Sequence, residues 1–327
     1  MKPFLSIIIP AYNASVTLTK LLASLSTSSY KKFEVIIGDD ASIEQLSIFN
    51  LQFSKKHAKF LFRIVRLLRN KGPAAARNAA AKRARGDVLV FLDADVTVYP
   101  DTLKKIAEKF SEDPDLTAIT GVWDKHQHST SFFPQFKAMR DWSYWTNERD
   151  RDGYYYLFST RVAAMRRGVF VRLGGFNEAF RQMEDVELTY RIAKRYAIIF
   201  APDVRVHHEF EGFAAVAKKY FWRSFYWAKL YKVRRKFDPV ATTMSETITA
   251  LSGVGVIGVI GVVGITHFWV LGWVVLALLL VHIFFLRKFL WFSWREKGIV
   301  FALKSLLTGL ALYLVILSGA LYYQLRK

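Results

Sequence analysis

From Thr247 to Tyr322 the chain carries three apolar runs, "TITALSGVGVIGVIGVVGI" over 247–265, "FWVLGWVVLALLLVHIFFL" over 268–286 and a third over 299–322. Each approaches the roughly 20 residues a helix needs to cross a bilayer's hydrocarbon core, where backbone polar groups must be satisfied within the segment. These runs predict a helical, membrane-spanning C-terminal region. "RKFLWFSWREK", between the second and third runs, reads as a basic break. The positive-inside rule places it, and the domain before the spans, in the cytoplasm at the inner membrane. Gly253, Gly255, Gly258, Gly261 and Gly264 suit close helix packing within the chain or, in a homo-oligomer, between chains.

The chain has 327 residues, is 52% hydrophobic and contains no cysteine. It is long enough for a large domain plus this appendage, and disulfide and thiolate chemistry are excluded. Its formal charge of +20 fits nucleic acid, an anionic membrane surface or a phosphorylated substrate equally well.

The first half alternates short apolar runs with helical patterns. Ser6–Pro10, "FEVIIGDD", "FLFRIVRLL" and "DVLVFLDAD" read as strands; "VTLTKLLASLSTSS" and "GPAAARNAAAKRA" read as helices. Continuous apolar strands alternating with helices predict an α/β fold with a mostly parallel sheet covered on both faces, whose ligands bind outside the carboxyl ends of the strands. Asp39, Asp40, Asp93 and Asp95 all fall at such ends. "APDVRVHHEF" is a late strand, and 121–167 reads as helix and loop over the open edge of the site. "FAAVAKKYFWRSFYWAKLYKVRRKF" mixes aromatic and basic residues at helical spacing, as an amphipathic helix in the headgroup layer does.

Asp93 and Asp95 are two residues apart at a strand end, so both carboxylates face one side and can share a hard cation such as Mg²⁺ or Mn²⁺. The same pair also serves as a capped turn.

Six segments in order, "SIIIPAYN", "VIIGDDAS", "NKGPAAARN", "FLDADV", "GGFNE" and "EDVEL", resemble those of the inverting glycosyltransferases of family 2, enzymes with the nucleotide-diphospho-sugar transferase (GT-A) fold. The resemblance covers about the first 210 residues. It implies a GT-A catalytic domain over 1–212; the aromatic and basic pattern makes 213–240 an interfacial helix region, and the apolar runs make 247–322 a transmembrane region. The resemblance also implies a nucleotide-diphosphate sugar as donor, contacted by Pro10, Ala11, Tyr12, Asp40, Arg77, Asp93 and Asp95. Asp95 would ligate Mg²⁺ or Mn²⁺ with His207 or His208, and Asp185 would be the general base. Gly174, Gly175 and Glu184 would flank the acceptor.

A general base is needed to deprotonate a hydroxyl acceptor, on a membrane-associated, lipid-linked glycan for instance. Related enzymes that glycosylate a polyprenyl phosphate need none, and that acceptor is the alternative. The Gln-x-x-Arg-Trp motif of processive relatives is missing from "KKYFWRSFYW", which argues against processive polymerisation. A non-catalytic membrane scaffold or nucleic-acid binder would have no use for four carboxylates at strand ends.

Overall fold

A computed structural model describes residues 2–43, 60–149, 155–234 and 244–326. In chain order it contains β1 (Leu5–Ala11), α1 (Ser15–Ser26), β2 (Phe33–Asp39), β3 (Leu61–Arg66), α2 (Pro73–Ala81), β4 (Val88–Leu92), β5 (Val96–Val98) and α3 (Thr102–Glu112). Then come β6 (Ala118–Trp123), α4 (Phe132–Ser143), β7 (Val162–Arg166), α5 (Arg167–Arg172), α6 (Glu184–Ala193) and β8 (Ile198–His208). Four long helices close the chain: α7 (Phe213–Arg234), α8 (Met244–Thr266), α9 (Gly272–Lys297) and α10 (Ile299–Leu325). By compactness the chain divides into one unit of residues 1–128 and 150–209 and a second of 129–149 and 210–327.

The first unit is built on one eight-stranded sheet in the order β3-β2-β1-β4-β7-β6-β8-β5. Four neighbouring pairs are parallel and three, β4–β7, β6–β7 and β5–β8, antiparallel. The sheet is thus more mixed than the alternation of strands and helices implied. Because β1 runs parallel to both β2 and β4, their carboxyl ends share one edge. β1, β2 and β4 are buried along their whole length, which explains their unbroken apolar runs. Leu18, Leu21, Leu22 and Leu25 recur at helical spacing along α1 and complete one core with these strands; burying such side chains stabilises by about 1.5–3 kcal/mol each.

Two close fits hold α2 against the strand ends. Gly72 has φ +96 and Pro73 starts the helix, an N-terminal position proline suits because its missing N–H has no helical partner there. A Cβ at Gly38 of β2 would lie 2.1 Å from the carbonyl oxygen of Ala76, so only glycine lets the helix backbone pack this closely.

Glu34, buried in β2, ties the strands together at their other end. Its Oε1 accepts from the Ser6 hydroxyl at 2.7 Å and the Arg85 N–H at 2.7 Å, and Arg63 of β3 pairs with its other oxygen. Burial pushes this carboxyl up, but the Arg85 N–H, the Ser6 hydroxyl and Arg63 outweigh it and hold the group below its ordinary 4.5. The pair's contribution is therefore complete above about pH 4.5 and is lost as pH falls through the lower folded value. Glu34→Gln should melt below the wild type at neutral pH, with the gap closing as the pH falls below 4.5; thermal unfolding of both proteins from neutral to acidic pH checks this.

In the second unit Ser245–Thr266, Trp269–Lys297 and Ile299–Leu325 are long and apolar enough to cross a membrane, with hydropathy of 2.3, 2.6 and 2.2. The basic segment expected as a break after residue 286 is instead the last three turns of α9, and the chain reverses at Gly298, φ +85. Gly253 meets His282 and Leu310, and Gly255 meets Leu278, whereas a Cβ at Gly258, Gly261 or Gly264 would meet nothing within 4 Å.

α7 packs along α10: the carbonyl of Phe221 lies over Gly319, and Trp222 and Phe225 meet Tyr322. Lys218, Lys219, Arg223, Lys229 and Lys232 stay exposed. Residues 235–240 of the expected interfacial region lie outside the described residues.

The aromatic middle of the chain is not a single cover. Its start and end are β6 and β7, and Phe133, Phe136 and Met139 of α4 join a core with Val216, Phe289 and Leu312 of the second unit. Thus 129–149, placed by the sequence reading with the catalytic domain, groups with the C-terminal helices.

Candidate active site

The parallel strands deliver four carboxylates to one sheet edge, but the four are not equivalent. Asp39 is fully buried and tethered: it accepts from the Ser42 N–H and hydroxyl and pairs with Arg66 at 2.7 Å. Asp40, also buried, accepts from the N–H groups of Lys71 and Gly72 at 2.7 and 2.8 Å, fixing the turn that starts α2. Beside them Pro10 and Ala11 end β1 as buried residues, while Tyr12 is 47% exposed at the edge.

Arg77 is the centre of the cluster. α2 presents it inward among Ala74, Ala75, Ala76 and Ala80, and it is only 3% exposed. One terminal nitrogen donates to Asp93 at 2.7 Å and the other to Glu184 at 2.6 Å. The guanidinium expected beside the nucleotide is therefore a bridge between the end of β4 and the start of α6. Burial pulls its pKa down, but Asp93 and then Glu184 outweigh burial and hold it above its ordinary value. Burial pushes the Glu184 carboxyl up, and the charge of Asp185 adds to that; together they exceed the pull of Arg77.

Asp185 follows Glu184 in the first turn of α6, where Glu187 adds a third acid. Acids there are favoured by the positive end of the helix dipole. Its Oδ1 accepts from the Val186 N–H at 2.8 Å, which fixes the carboxylate. Met183, just before the helix, has φ +67, an uncommon conformation for a residue with a Cβ.

The Gly174–Gly175 loop lies beside α2, with φ +76 and +72. Asn78 clamps it, accepting from the Phe176 N–H at 2.9 Å and donating to the Phe176 carbonyl at 2.8 Å, and a Cβ at Gly175 would meet the Asn78 side-chain oxygen at 2.6 Å. The asparagine closing "NKGPAAARN" marks this clamp, although nothing local to the motif names its partner.

The ladder between β5 and β8 sets Val96 opposite His208 and Thr97 opposite His207. His208 is buried, its Nδ1 3.3 Å from the Asp95 carbonyl and its ring against Trp123. His207 faces Glu209, its Nε2 2.7 Å from Oε1. Among the described residues, His128, His207 and Glu209 place one ligand atom each within 4.8 Å of one another. Imidazole and carboxylate donors on the rim beside the exposed Asp95 suit a divalent ion. Asp95 itself is not in that trio; His128 and Glu209 are, and the sequence reading had named neither.

A mixed sheet with acids at the carboxyl ends of its parallel half, tied through Arg77 to an acid-led helix, is the architecture of the GT-A class of nucleotide-diphospho-sugar transferase folds. The sequence profile of glycosyl transferase family 2 matches residues 6–174, and the chain belongs to that family.

Among its relatives, an uncharacterized glycosyltransferase of Haemophilus influenzae is 26% identical over 193 residues, 58% of this chain and 61% of the relative. The poly(ribitol-phosphate) beta-N-acetylglucosaminyltransferase TarS of Staphylococcus aureus is 36% identical over 111 residues, 33% of this chain and 19% of TarS. The chain thus spans less than two thirds of these relatives' length. The mannosyltransferase PcManGT of Pyrobaculum calidifontis, solved with GDP-Man and Mn²⁺, shares the fold, with a TM-score of 0.62 at 18% identity over 100% of this chain and 88% of that one.

Proposed function

We propose that this protein is a membrane-anchored, metal-assisted inverting glycosyltransferase that moves a sugar from a nucleotide diphosphate to a hydroxyl of a membrane-associated, lipid-linked glycan. The observation that carries the reading is the buried Asp93–Arg77–Glu184 bridge. It joins the strand end assigned to the donor to the helix whose first turn carries the assigned base, and so supports a single displacement between donor and acceptor.

In this reading Pro10, Ala11 and Tyr12 border the nucleoside, and Asp40 holds the turn beneath it. Asp93 and Asp95 face the diphosphate, and Gly174 and Gly175 shape the acceptor side. Asp95 and His207 would hold Mg²⁺ or Mn²⁺, and the ion would supply positive charge to offset that of the diphosphate. Asp185 takes the proton from the acceptor hydroxyl as that oxygen attacks the anomeric carbon, and inversion follows from the single attack. Arg77 keeps Asp93 and Glu184 in place throughout. The Mn²⁺ and nucleotide sugars bound by related folds support the choice of donor and metal. The basic end of α9, with Arg287, Lys288, Arg295 and Lys297, supports a cytoplasmic catalytic unit at the inner membrane.

The test is a screen of the purified full chain against nucleotide sugars, with and without Mn²⁺ or Mg²⁺, reading bound nucleotide by thermal shift and transfer by product mass. Metal-dependent transfer to a hydroxyl, with the anomeric configuration inverted, is expected. Failure of every nucleotide sugar to bind would overturn the reading, and a glycosyl phosphate product would replace the acceptor by a polyprenyl phosphate.

A further inference from the structure

We infer that His128 and Glu209 join His207 as a three-donor site for one divalent ion beside Asp95, and that the site selects a first-row transition-metal ion over Mg²⁺. This rests on the proposed transferase reading for its purpose, although the ion site itself stands on geometry.

The three side chains come from two distant parts of the chain. His128 lies five residues beyond the end of β6, and His207 and Glu209 alternate along the end of β8 and just past it, so both project to one side. The His128 and His207 rings are 4.7 Å apart between centroids. Glu209 Oε1 lies 2.7 Å from His207 Nε2 and 3.9 Å from His128 Nε2, and also accepts from the His128 N–H at 2.8 Å. Two ligand atoms sharing an ion at bond lengths near 2.1 Å lie about 3–4 Å apart. The trio's spread of at most 4.8 Å closes on an ion with side-chain shifts below about 1 Å. The His128 side chain is 87% exposed and has room to make that shift, while His207 is held in the ladder.

Carbonyl and carboxylate oxygens suit Mg²⁺ and Mn²⁺ alike, but Mg²⁺ sheds its water reluctantly; neutral imidazoles favour first-row transition metals, of which Mn²⁺ is the weakest binder and so the most demanding probe. Two imidazoles among three donors therefore discriminate where Asp93 and Asp95 alone would not. The placement also gives the ion a second effect. His128 and Glu209 are the last residues of the first unit before the chain leaves it, at 128 and again at 209. An ion held by both pins the two exits to the donor edge.

The experiment measures Mn²⁺ binding to the full chain in detergent by electron paramagnetic resonance of the free ion, with Mg²⁺ as competitor. Hydrogen exchange over 124–131 and 205–212 is followed in parallel. Mn²⁺ should bind with at least about ten-fold preference over Mg²⁺ and slow exchange in both segments. His128→Ala and Glu209→Gln should each weaken Mn²⁺ binding by about 10-fold or more, the cost of losing a partner in a metal site, and leave Mg²⁺ binding little changed. Equal Mn²⁺ affinity in wild type and His128→Ala, or equal affinity for the two ions, would overturn the inference even with Mn²⁺-dependent transfer intact. Selective Mn²⁺ binding lost in both variants upholds the site even if no nucleotide sugar is turned over, and that outcome counts against the transferase reading alone.

Discussion

Asp185→Asn lowers kcat by about 10²–10⁴-fold, the usual contribution of a positioned acid or base, while the dissociation constant for the sugar donor changes little. The substitution is nearly isosteric, and the oxygen that accepts from the Val186 N–H at 2.8 Å is retained as an amide oxygen. The start of α6 therefore keeps its geometry and loses only the group that takes a proton. Single-turnover transfer with a hydroxyl acceptor, set beside donor titration, separates the two effects. Normal transfer by the variant would remove Asp185 from the mechanism and favour an acceptor that arrives already ionised.

Arg77→Met destabilises the first unit by about 3 kcal/mol, the lower end of the cost of breaking a buried ion pair by removing one partner. The lower end applies because Asp93, with a side chain 31% exposed, recovers part of its hydration, whereas Glu184, at 10%, does not. For a unit of this size, that corresponds to a fall in melting temperature of about 6–12 °C. Arg77→Lys restores the charge but reaches one carboxylate at a time, since only the guanidinium fork donates to both. It should recover part of the stability and little of the transfer rate. A lysine variant as active as the wild type would show that charge alone suffices and that the bridge has no positioning role.

Much of the parallel half of the sheet was legible in the sequence. Strands buried on both faces must be apolar throughout, and β1, β2 and β4 announce themselves that way, each followed by the polar residues of the sheet edge. Gly72–Pro73 marks the start of α2 because few other residues fit there. The three C-terminal runs are long and apolar enough to cross a membrane as helices, and all three are helical. β7, "VAAMR", carries no comparable signal: five residues of mild hydrophobicity fit a helix as well as a strand, and only pairing with both β4 and β6 decides between them. The segment 121–167 reads as helix and loop over the open edge of the site, but the aromatic residues of α4 within it suit any apolar surface, and tertiary packing gives them to the C-terminal helices.

The site divides in the same way. Local chemistry selected Asp39, Asp40, Asp93 and Asp95, since acids after apolar strands stand out from their neighbours, and the family resemblance added Arg77, Gly174, Gly175, Glu184 and Asp185. What those residues touch depends on separations no local pattern encodes: Arg77 meets Glu184 across 107 residues, and His128 meets Glu209 across 81. The sequence by itself determined the fold class, the helices able to span a membrane and the kinds of side chain at the sheet edge, because hydrophobic periodicity and backbone constraints act over a few residues. The partner of Arg77, the membership of the imidazole cluster and the unit to which 129–149 belongs were decided only by tertiary structure, because charge pairing and close packing depend on distance in space.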